Sequence, residues 1–142
     1  MPSGDIWNKH WINVAFVTSE LSKDPSTKVG ACLVTQDNRQ CSIGFNGFAS
    51  GVSETKKEWE DRDYKINSVI HAEENALLFC PFEKKGSKLY VTHQPCHRCI
   101  IRILQCGINQ LYYSLDYPRL EHTDIWDKHA KMFDILMKIE RK

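Results

Sequence analysis

Two thiols stand close together in the segment PCHRC, residues 95–99. Cys96 and Cys99 are three residues apart at the start of a predicted helix. Both side chains can therefore turn to the same side, and the helix dipole favours their thiolate forms. Thiolates bind zinc, but a C-x-x-C segment is also typical of a redox pair or of two buried cysteines. The spacing by itself leaves these three interpretations open.

The segment HAE, residues 71–73, contains a third residue of a metal-binding type upstream of this pair. Taken alone, His71 could be a capping or partly buried histidine. A zinc ion held by His71, Cys96 and Cys99 would have three protein ligands and one open position, which is the arrangement of a catalytic site. H-x-E followed by P-C-x-x-C is also the signature of zinc deaminases that act on nucleobases. We therefore predict a catalytic zinc with these three ligands.

Glu73 is the predicted proton carrier. Bound zinc lowers the pKa of water to about 7, so hydroxide becomes available at neutral pH. Glu73 comes two residues after His71, so its side chain points away from the ligand direction and can lie beside the metal without binding it. It would then be within hydrogen-bond reach of the activated water. An acid at this position would otherwise only stabilise the start of a helix.

The remaining cysteines and several further polar residues lack a partner at metal-binding spacing. We expect packing roles for His93, His97, Cys80, Cys106, Cys32 and Cys41. Asn75 is expected to bond local backbone.

The elements that must position the site follow from apolar spacing. A helix is predicted over residues 5–21, and it ends at SKDPS because the residue before a proline is pushed out of helical geometry. Two segments around the polar turn QDNRQ, residues 29–35 and 41–47, predict a hairpin. The other predicted elements are helices over 71–80 and 96–106, strands over 88–93 and 110–115, and a last helix from residue 123.

Details of this pattern complete the predicted fold. Residues 48–67 read as a long polar loop with a helical turn near Trp59, and loops of this length tend to be functional. Gly107 is predicted to cap a helix in the left-handed conformation. The last helix is predicted from a stripe formed by Trp126, Ala130, Phe133 and Met137. The element order predicts one α/β domain over residues 1–142, with a mixed central sheet between two helix layers.

Composition narrows the classes of function. Nineteen basic and eighteen acidic residues give a net charge of +1, which lacks the basic bias typical of nucleic-acid binding. No apolar run approaches the roughly 20 residues of a membrane span, and the start MPSGDIWNKH lacks the features of a secretory signal. Six cysteines in such a chain indicate reduced thiols or metal ligands. We therefore expect a cytoplasmic protein with neither a nucleic-acid nor a membrane partner.

Four segments together resemble a known family. DPSTKVGACLV (24–34), GFNGF (44–48), HAEENAL (71–77) and THQPCHRC (92–99) are similar in order and spacing to the deoxycytidylate deaminases of the cytidine deaminase superfamily. HAE with PC-x-x-C is shared with tRNA adenosine deaminases, whereas GFNG joined to DPSTKVGA favours the nucleotide-monophosphate branch. The free-cytidine branch usually has cysteine in place of His71. The resemblance implies a cytidine-deaminase-like fold.

The resemblance also implies a reaction and substrate contacts. It implies zinc-dependent hydrolytic deamination of dCMP to dUMP with release of ammonia. Asn46 would contact the sugar, although it could also be only a turn residue. Tyr117 would pack on the base or sugar and Arg119 would meet a phosphate, unless both are surface residues. Ser26 and Lys28 are further phosphate candidates, or else solvated loop residues.

Regulation and assembly are implied by resemblance as well. Many family members are hexamers that dCTP activates and dTTP inhibits through a magnesium-nucleotide site. Phe48, Gly51 and Glu54 are the candidates for that effector site. Some relatives hold a second, structural zinc between GFNG and HAE, but residues 48–70 contain neither cysteine nor histidine. The alternatives are a deaminase of another cytosine nucleotide such as dCTP, a deaminase of tRNA adenosine, or a non-catalytic zinc-stabilised binding domain.

Overall fold

A mixed sheet of five strands runs through the part of the chain that the structure, a computed structural model, describes, namely residues 4–118 and 120–141. The strands are β1 (Gly30–Val34), β2 (Cys41–Phe45), β3 (Lys88–His93), β4 (Gln110–Leu115) and β5 (Ile135–Lys138). Their spatial order is β2-β1-β3-β4-β5. Strand β1 is antiparallel to β2 and β3, whereas β3, β4 and β5 are parallel.

Helices cover both faces of this sheet. They are α1 (Gly4–Ser19), α2 (Lys56–Glu60), α3 (Arg62–Ser68), α4 (Ala72–Leu78), α5 (His97–Gln105) and α6 (Thr123–Ala130). Within the described ranges, none of them is long and apolar enough to cross a membrane.

Alternate side chains of β1 belong to two separate cores, because successive residues of a strand point to opposite faces. Ala31 and Leu33 belong to the core that α4, α5 and α6 cover. Cys32 and Val34 belong to the core that α1 covers with residues such as Phe16. The result is the three-layer α/β/α arrangement that the sequence predicts. Strands β3 and β4 also have their predicted bounds, and Gly107 has the predicted positive φ, 80°.

The segment predicted as a loop over residues 48–67, with a helical turn near Trp59, contains α2, which includes Trp59, and nearly all of α3. Each begins at a polar cap. The backbone N–H of Thr55 donates to the Glu58 carboxylate at 2.7 Å, and the Asp61 carboxylate accepts the N–H of Tyr64 at 3.1 Å. The helices have five and seven residues, too few for apolar periodicity to reveal them. Capping residues were the available signal.

The prediction of a single helix through Met137 is wrong. Helix α6 ends at Ala130, and residues 135–138 form β5, parallel to β4. The edge of β4 offers unpaired backbone groups, and the turn before β5 is fixed there. The backbone N–H groups of Asp134 and Ile135 both donate to the Asn109 carbonyl, at 3.0 and 3.2 Å. Phe133 is buried as the predicted stripe requires, but it packs into the core from that turn and not from a helix.

Candidate metal centre and active site

Two helix N-termini converge on the predicted metal ligands. His71 is the N-cap residue of α4 and Cys96 that of α5. Cys99 lies in the first turn of α5, where the helix dipole favours a thiolate. The Glu74 carboxylate accepts the backbone N–H of His71 at 3.1 Å and lies 3.7 Å from Arg102 of α5. Glu74 therefore orders the start of one helix and links it to the other.

The three side chains form a compact ligand group. Their ligand atoms all lie within 4.8 Å of one another, and among the described residues this is the only group of three or more potential ligands found. Nδ1 of His71 is 3.7 Å from Sγ of Cys96 and 3.3 Å from Sγ of Cys99. Tetrahedral zinc with ordinary Zn–N and Zn–S bonds separates such atoms by about 3.6 Å. One nitrogen and two sulfurs at these separations fit a zinc ion.

Hydrogen bonds within the group set its acidities. The contact with Cys99, aided by His71 and opposed by burial, lowers the pKa of Cys96 to about 3. The same thiol–thiol contact, with burial, raises the pKa of Cys99 well above its ordinary value. The hydrogen bond to Cys96 raises the pKa of His71 to about 9. Because zinc ligands must be deprotonated, metal binding displaces protons from this group.

Glu73 lies beside the ligands in the first turn of α4. Only 4% of the residue is exposed, and burial raises the pKa of its carboxyl to about 7, against the opposing charge of His71. Its carboxylate accepts no hydrogen bond from any other residue in the described part of the chain. A buried carboxyl without such a partner is costly. Its surroundings suit a group that exchanges protons with water or a ligand.

Backbone contacts place α4 against β2 and bring Asn46 close to the ligands. Gly47 and Ile70 form an isolated antiparallel bridge, with N–H to O distances of 3.1 and 2.7 Å. Asn46 precedes Gly47 and His71 follows Ile70, so the antiparallel bridge places Asn46 and His71 next to each other on neighbouring segments. A Cβ atom at Gly44 would overlap the Ala72 carbonyl oxygen, so glycine is required for the close approach of α4.

Asn46 fastens the loop before β1. Its side-chain amide donates to Oδ2 of Asp24 at 3.1 Å and to the Thr27 carbonyl at 3.0 Å, and Oδ1 accepts the N–H of Val29 at 2.9 Å. Both amide hydrogens are thereby used. A sugar hydroxyl could only donate to the remaining lone pair of Oδ1. The predicted sugar contact stays a prediction, and a structural role stands beside it.

The other substrate candidates lie at the rim. Ser26 and Lys28 are exposed on the loop before β1. Tyr117 is 39% exposed, and its backbone N–H donates to the Gln94 side chain at 3.1 Å. Burial, followed by the charges of Cys96 and other groups, raises the pKa of Tyr117. Arg119 lies outside the described residues.

The effector candidates differ in exposure. Phe48 is 8% exposed and stacks on Trp59 with ring centroids 4.4 Å apart, so it is a core residue of the segment. Gly51 has a positive φ of 85°, and a Cβ there would have no atom within 4 Å. The Glu54 carboxylate lies beside Gly47, at the base of the same segment. An effector site at these three positions stays a prediction.

The structural role of one polar residue, Asp24, was missed from the sequence, and for a second, Asn75, the structural role was expected but the partner was not. The Asp24 carboxylate is buried and accepts hydrogen bonds from Ser26 N–H at 2.8 Å, from the Asn46 amide and from Lys65 Nζ at 2.9 Å. Its Asp-Pro-Ser context is a turn signal that could have identified the local part. Asn75 was expected to bond local backbone, but it donates to the Phe45 carbonyl on β2 at 2.8 Å.

Known proteins are similar to this chain over the stretch that contains the same motifs. The profile of the "Cytidine and deoxycytidylate deaminase zinc-binding region" matches residues 5–115. The chain is 42% identical over 106 residues to an uncharacterized deaminase of the luxG 3′ region of Aliivibrio fischeri, covering 75% of this chain and 71% of that protein. It is 37% identical over 124 residues to the deoxycytidylate deaminase of Mus musculus, covering 82% and 70%.

A solved structure extends the likeness to the fold. The dCMP deaminase of the cyanophage S-TIM5, crystallised in complex with dCMP and dUMP, superposes with a TM-score of 0.76 at 26% identity, covering 96% of this chain and 99% of that chain. The matched stretches cover between 65% and 71% of the lengths of the first curated relatives. The chain belongs to the family of cytidine and deoxycytidylate deaminases, as its motifs predict.

Proposed function

We propose that this chain is a zinc-dependent deaminase that hydrolyses dCMP to dUMP and releases ammonia, acting as one domain in the cytoplasm. One observation carries the proposal. Three metal-ligating side chains lie within 4.8 Å of one another, next to a buried carboxyl that accepts no hydrogen bond from another described residue. The S-TIM5 neighbour, solved with dCMP and dUMP, supports the choice of substrate.

The chain's own residues have separable roles in this reaction. His71, Cys96 and Cys99 hold the zinc, which supplies Lewis-acid activation of water near neutral pH. Glu73 takes up the two protons of the attacking water in turn and delivers one to the ring nitrogen next to the amino-bearing carbon and the other to the leaving amine. Water adds at that carbon and ammonia leaves, so atoms and charges balance. Burial of Glu73 keeps bulk water away from this proton transfer.

An ammonia-release assay with the zinc-loaded chain tests the substrate. We expect turnover of dCMP and weaker or no turnover of dCTP, deoxycytidine and cytidine. A preference for dCTP over dCMP would mean that the substrate is another cytosine nucleotide and not the monophosphate. Activity on tRNA adenosine, or no deamination of any of these compounds, would contradict the proposal, and the latter outcome would favour a non-catalytic binding domain.

We further propose a hexamer regulated by dCTP and dTTP with magnesium at the segment that contains Gly51 and Glu54. The exposed turn at Gly51 and the half-buried acid at Glu54 support a ligand site there. Sedimentation analysis would determine the oligomeric state. Saturation curves for dCMP, with and without each magnesium-nucleotide, would give the regulation, and identical curves would contradict it.

A further inference from the structure

One buried carboxylate, that of Asp24, joins the loop before β1 to Asn46 and to α3. Its Oδ1 accepts the backbone N–H groups of Ser26 at 2.8 Å and of Thr27 at 3.3 Å. Its Oδ2 accepts the side-chain amide of Asn46 at 3.1 Å. Oδ1 also accepts the ammonium group of Lys65, in α3, at 2.9 Å. The position of this carboxylate therefore sets the position of the loop and of the Asn46 side chain.

Lys65 supplies the charge that balances this carboxylate. The side chain of Asp24 is 5% exposed and that of Lys65 is 23% exposed, so water screens the ion pair only weakly. A buried carboxylate that loses its cation is left as an uncompensated charge, and it moves toward water or toward other donors. Such a movement would displace the Asn46 amide, because the same carboxylate accepts its hydrogen bond.

Asn46 extends this link toward the metal ligands. The residue after it, Gly47, forms the isolated bridge with Ile70, and His71 follows Ile70. A change at Asp24 therefore reaches a side chain on the segment that pairs next to the first metal ligand.

Lys65 belongs to a segment that lies mainly on the surface. None of residues 62–68, all within the described ranges, is buried, so α3 has no buried side chain of its own as an anchor. The ammonium group of Lys65 also lies over the Trp59 ring of α2, 5.4 Å from the ring centroid. One ammonium group thus connects both short helices, α2 and α3, to the carboxylate that holds Asn46.

We propose that Lys65 is a positioning residue for the deamination reaction. Through its ion pair with Asp24, it holds Asn46 and the loop before β1 in the geometry that binds the nucleotide. Lys65 acts through Asp24 and not by touching the substrate. The inference rests on the proposed function, because it takes Asn46 to contact the sugar of a nucleotide whose base lies at the metal.

Kinetics of Lys65→Met with dCMP, at equal zinc content, test this role. We expect KM to rise roughly three- to tenfold with kcat within about twofold of the parent value, because the change disturbs binding and leaves the proton carrier in place. Lys65→Arg should recover most of the lost affinity, since it keeps a positive charge and N–H donors. Lys57→Met is the matched control, because Lys57 is an exposed lysine of α2. Equal KM values for Lys65→Met and Lys57→Met would overturn the proposal, whatever the stability of the two variants.

Amide hydrogen exchange of the zinc-loaded chain without substrate separates this proposal from the function itself. The N–H of Val29 reports on Asn46, whose Oδ1 accepts it at 2.9 Å. We expect this N–H to exchange faster in Lys65→Met than in the parent or in Lys57→Met, while the N–H groups inside β3 keep their rates. A general loss of stability would raise the rates inside β3 as well.

The possible results of the exchange experiment are distinct. If Lys65→Met does not fold, Lys65→Gln takes its place with the same expected direction, because glutamine retains an N–H donor. Faster exchange at Val29 in a chain that does not deaminate dCMP would mean that the proposed function fails and the link from Lys65 to Asn46 stands. Unchanged exchange at Val29, or an equal rise at Val29 and inside β3, would overturn the link.

Discussion

At the scale of single residues, the site combines groups whose pKa values are shifted in opposite directions. Cys96 has a pKa lowered to about 3, so it is ready to bind a metal, whereas burial raises that of Glu73 to about 7. The contrast comes from position. Cys96 accepts hydrogen bonds at the start of α5, while Glu73 has lost water and gained no bond from another described residue. One environment favours a ligand and the other favours a proton carrier.

Asn46 offers a residue-scale prediction. Asn46→Ala would leave the Val29 N–H and Oδ2 of Asp24 without the hydrogen bonds that Asn46 provides and would free the loop before β1. We expect a loss of about 1–3 kcal/mol in the free energy of unfolding, because buried groups would be left unpaired. Urea denaturation of the zinc-loaded parent and variant would measure it. Unchanged stability with impaired turnover would mean that Asn46 acts on the substrate alone.

At the scale of elements, the site depends on how α4 lies against β2. Gly44 allows contact between the strand and the backbone of α4 at Ala72 and Ala76, the part of the helix next to His71 and Glu73. The strands of the sheet and the capped starts of the helices both hold this geometry in place. A small displacement of α4 would therefore move His71 and Glu73 together, relative to the thiols on α5.

Gly44→Ala tests this dependence. The added methyl group would overlap the Ala72 carbonyl, so we expect α4 to shift and the free energy of unfolding to fall by about 1–3 kcal/mol. Zinc affinity should fall as well. Gly4→Ala is the control, because a Cβ at Gly4 has no atom within 4 Å. Normal stability and zinc binding of Gly44→Ala would show that the close approach does not hold the site.

How much the sequence reveals differs between elements for physical reasons. The metal ligands and the bounds of β3 and β4 depend on local spacing and apolar runs, which a single sequence contains. Strand β5 depends on the free edge of β4, and its pairing partner lies well before it in the chain. The structural role of Asp24 was not predicted, because its partners Asn46 and Lys65 are distant in sequence. Local patterns carry no information on such contacts.

At the scale of the whole molecule, the metal group lies at the edge of an independent core. The two apolar layers, one under α1 and one under α4, α5 and α6, involve all three central strands. Of the metal ligands, Cys99 is fully part of the core and Cys96 packs against it, whereas His71 caps a helix start. The sheet therefore does not require zinc for its own packing, although zinc should still stabilise the fold by binding only the native state.

Removal of zinc tests this division. A chelator should abolish deamination and lower the melting temperature, with secondary structure retained in the far-ultraviolet circular dichroism. Added zinc should restore both properties. Stabilisation of about 4 kcal/mol is expected when free zinc exceeds its Kd by 1,000-fold. Complete unfolding on chelation would contradict an independent core, and full activity without zinc would contradict a metal-dependent reaction.

The central claim is that a zinc held by His71, Cys96 and Cys99 works with Glu73 as the proton carrier. Ammonia release from dCMP by the parent and by Glu73→Gln, compared at equal zinc content, tests it most directly. We predict that the variant keeps its zinc and loses roughly 10²- to 10⁴-fold in kcat, because the substituted amide cannot carry the proton. Turnover by Glu73→Gln at the parent's rate would contradict the claim.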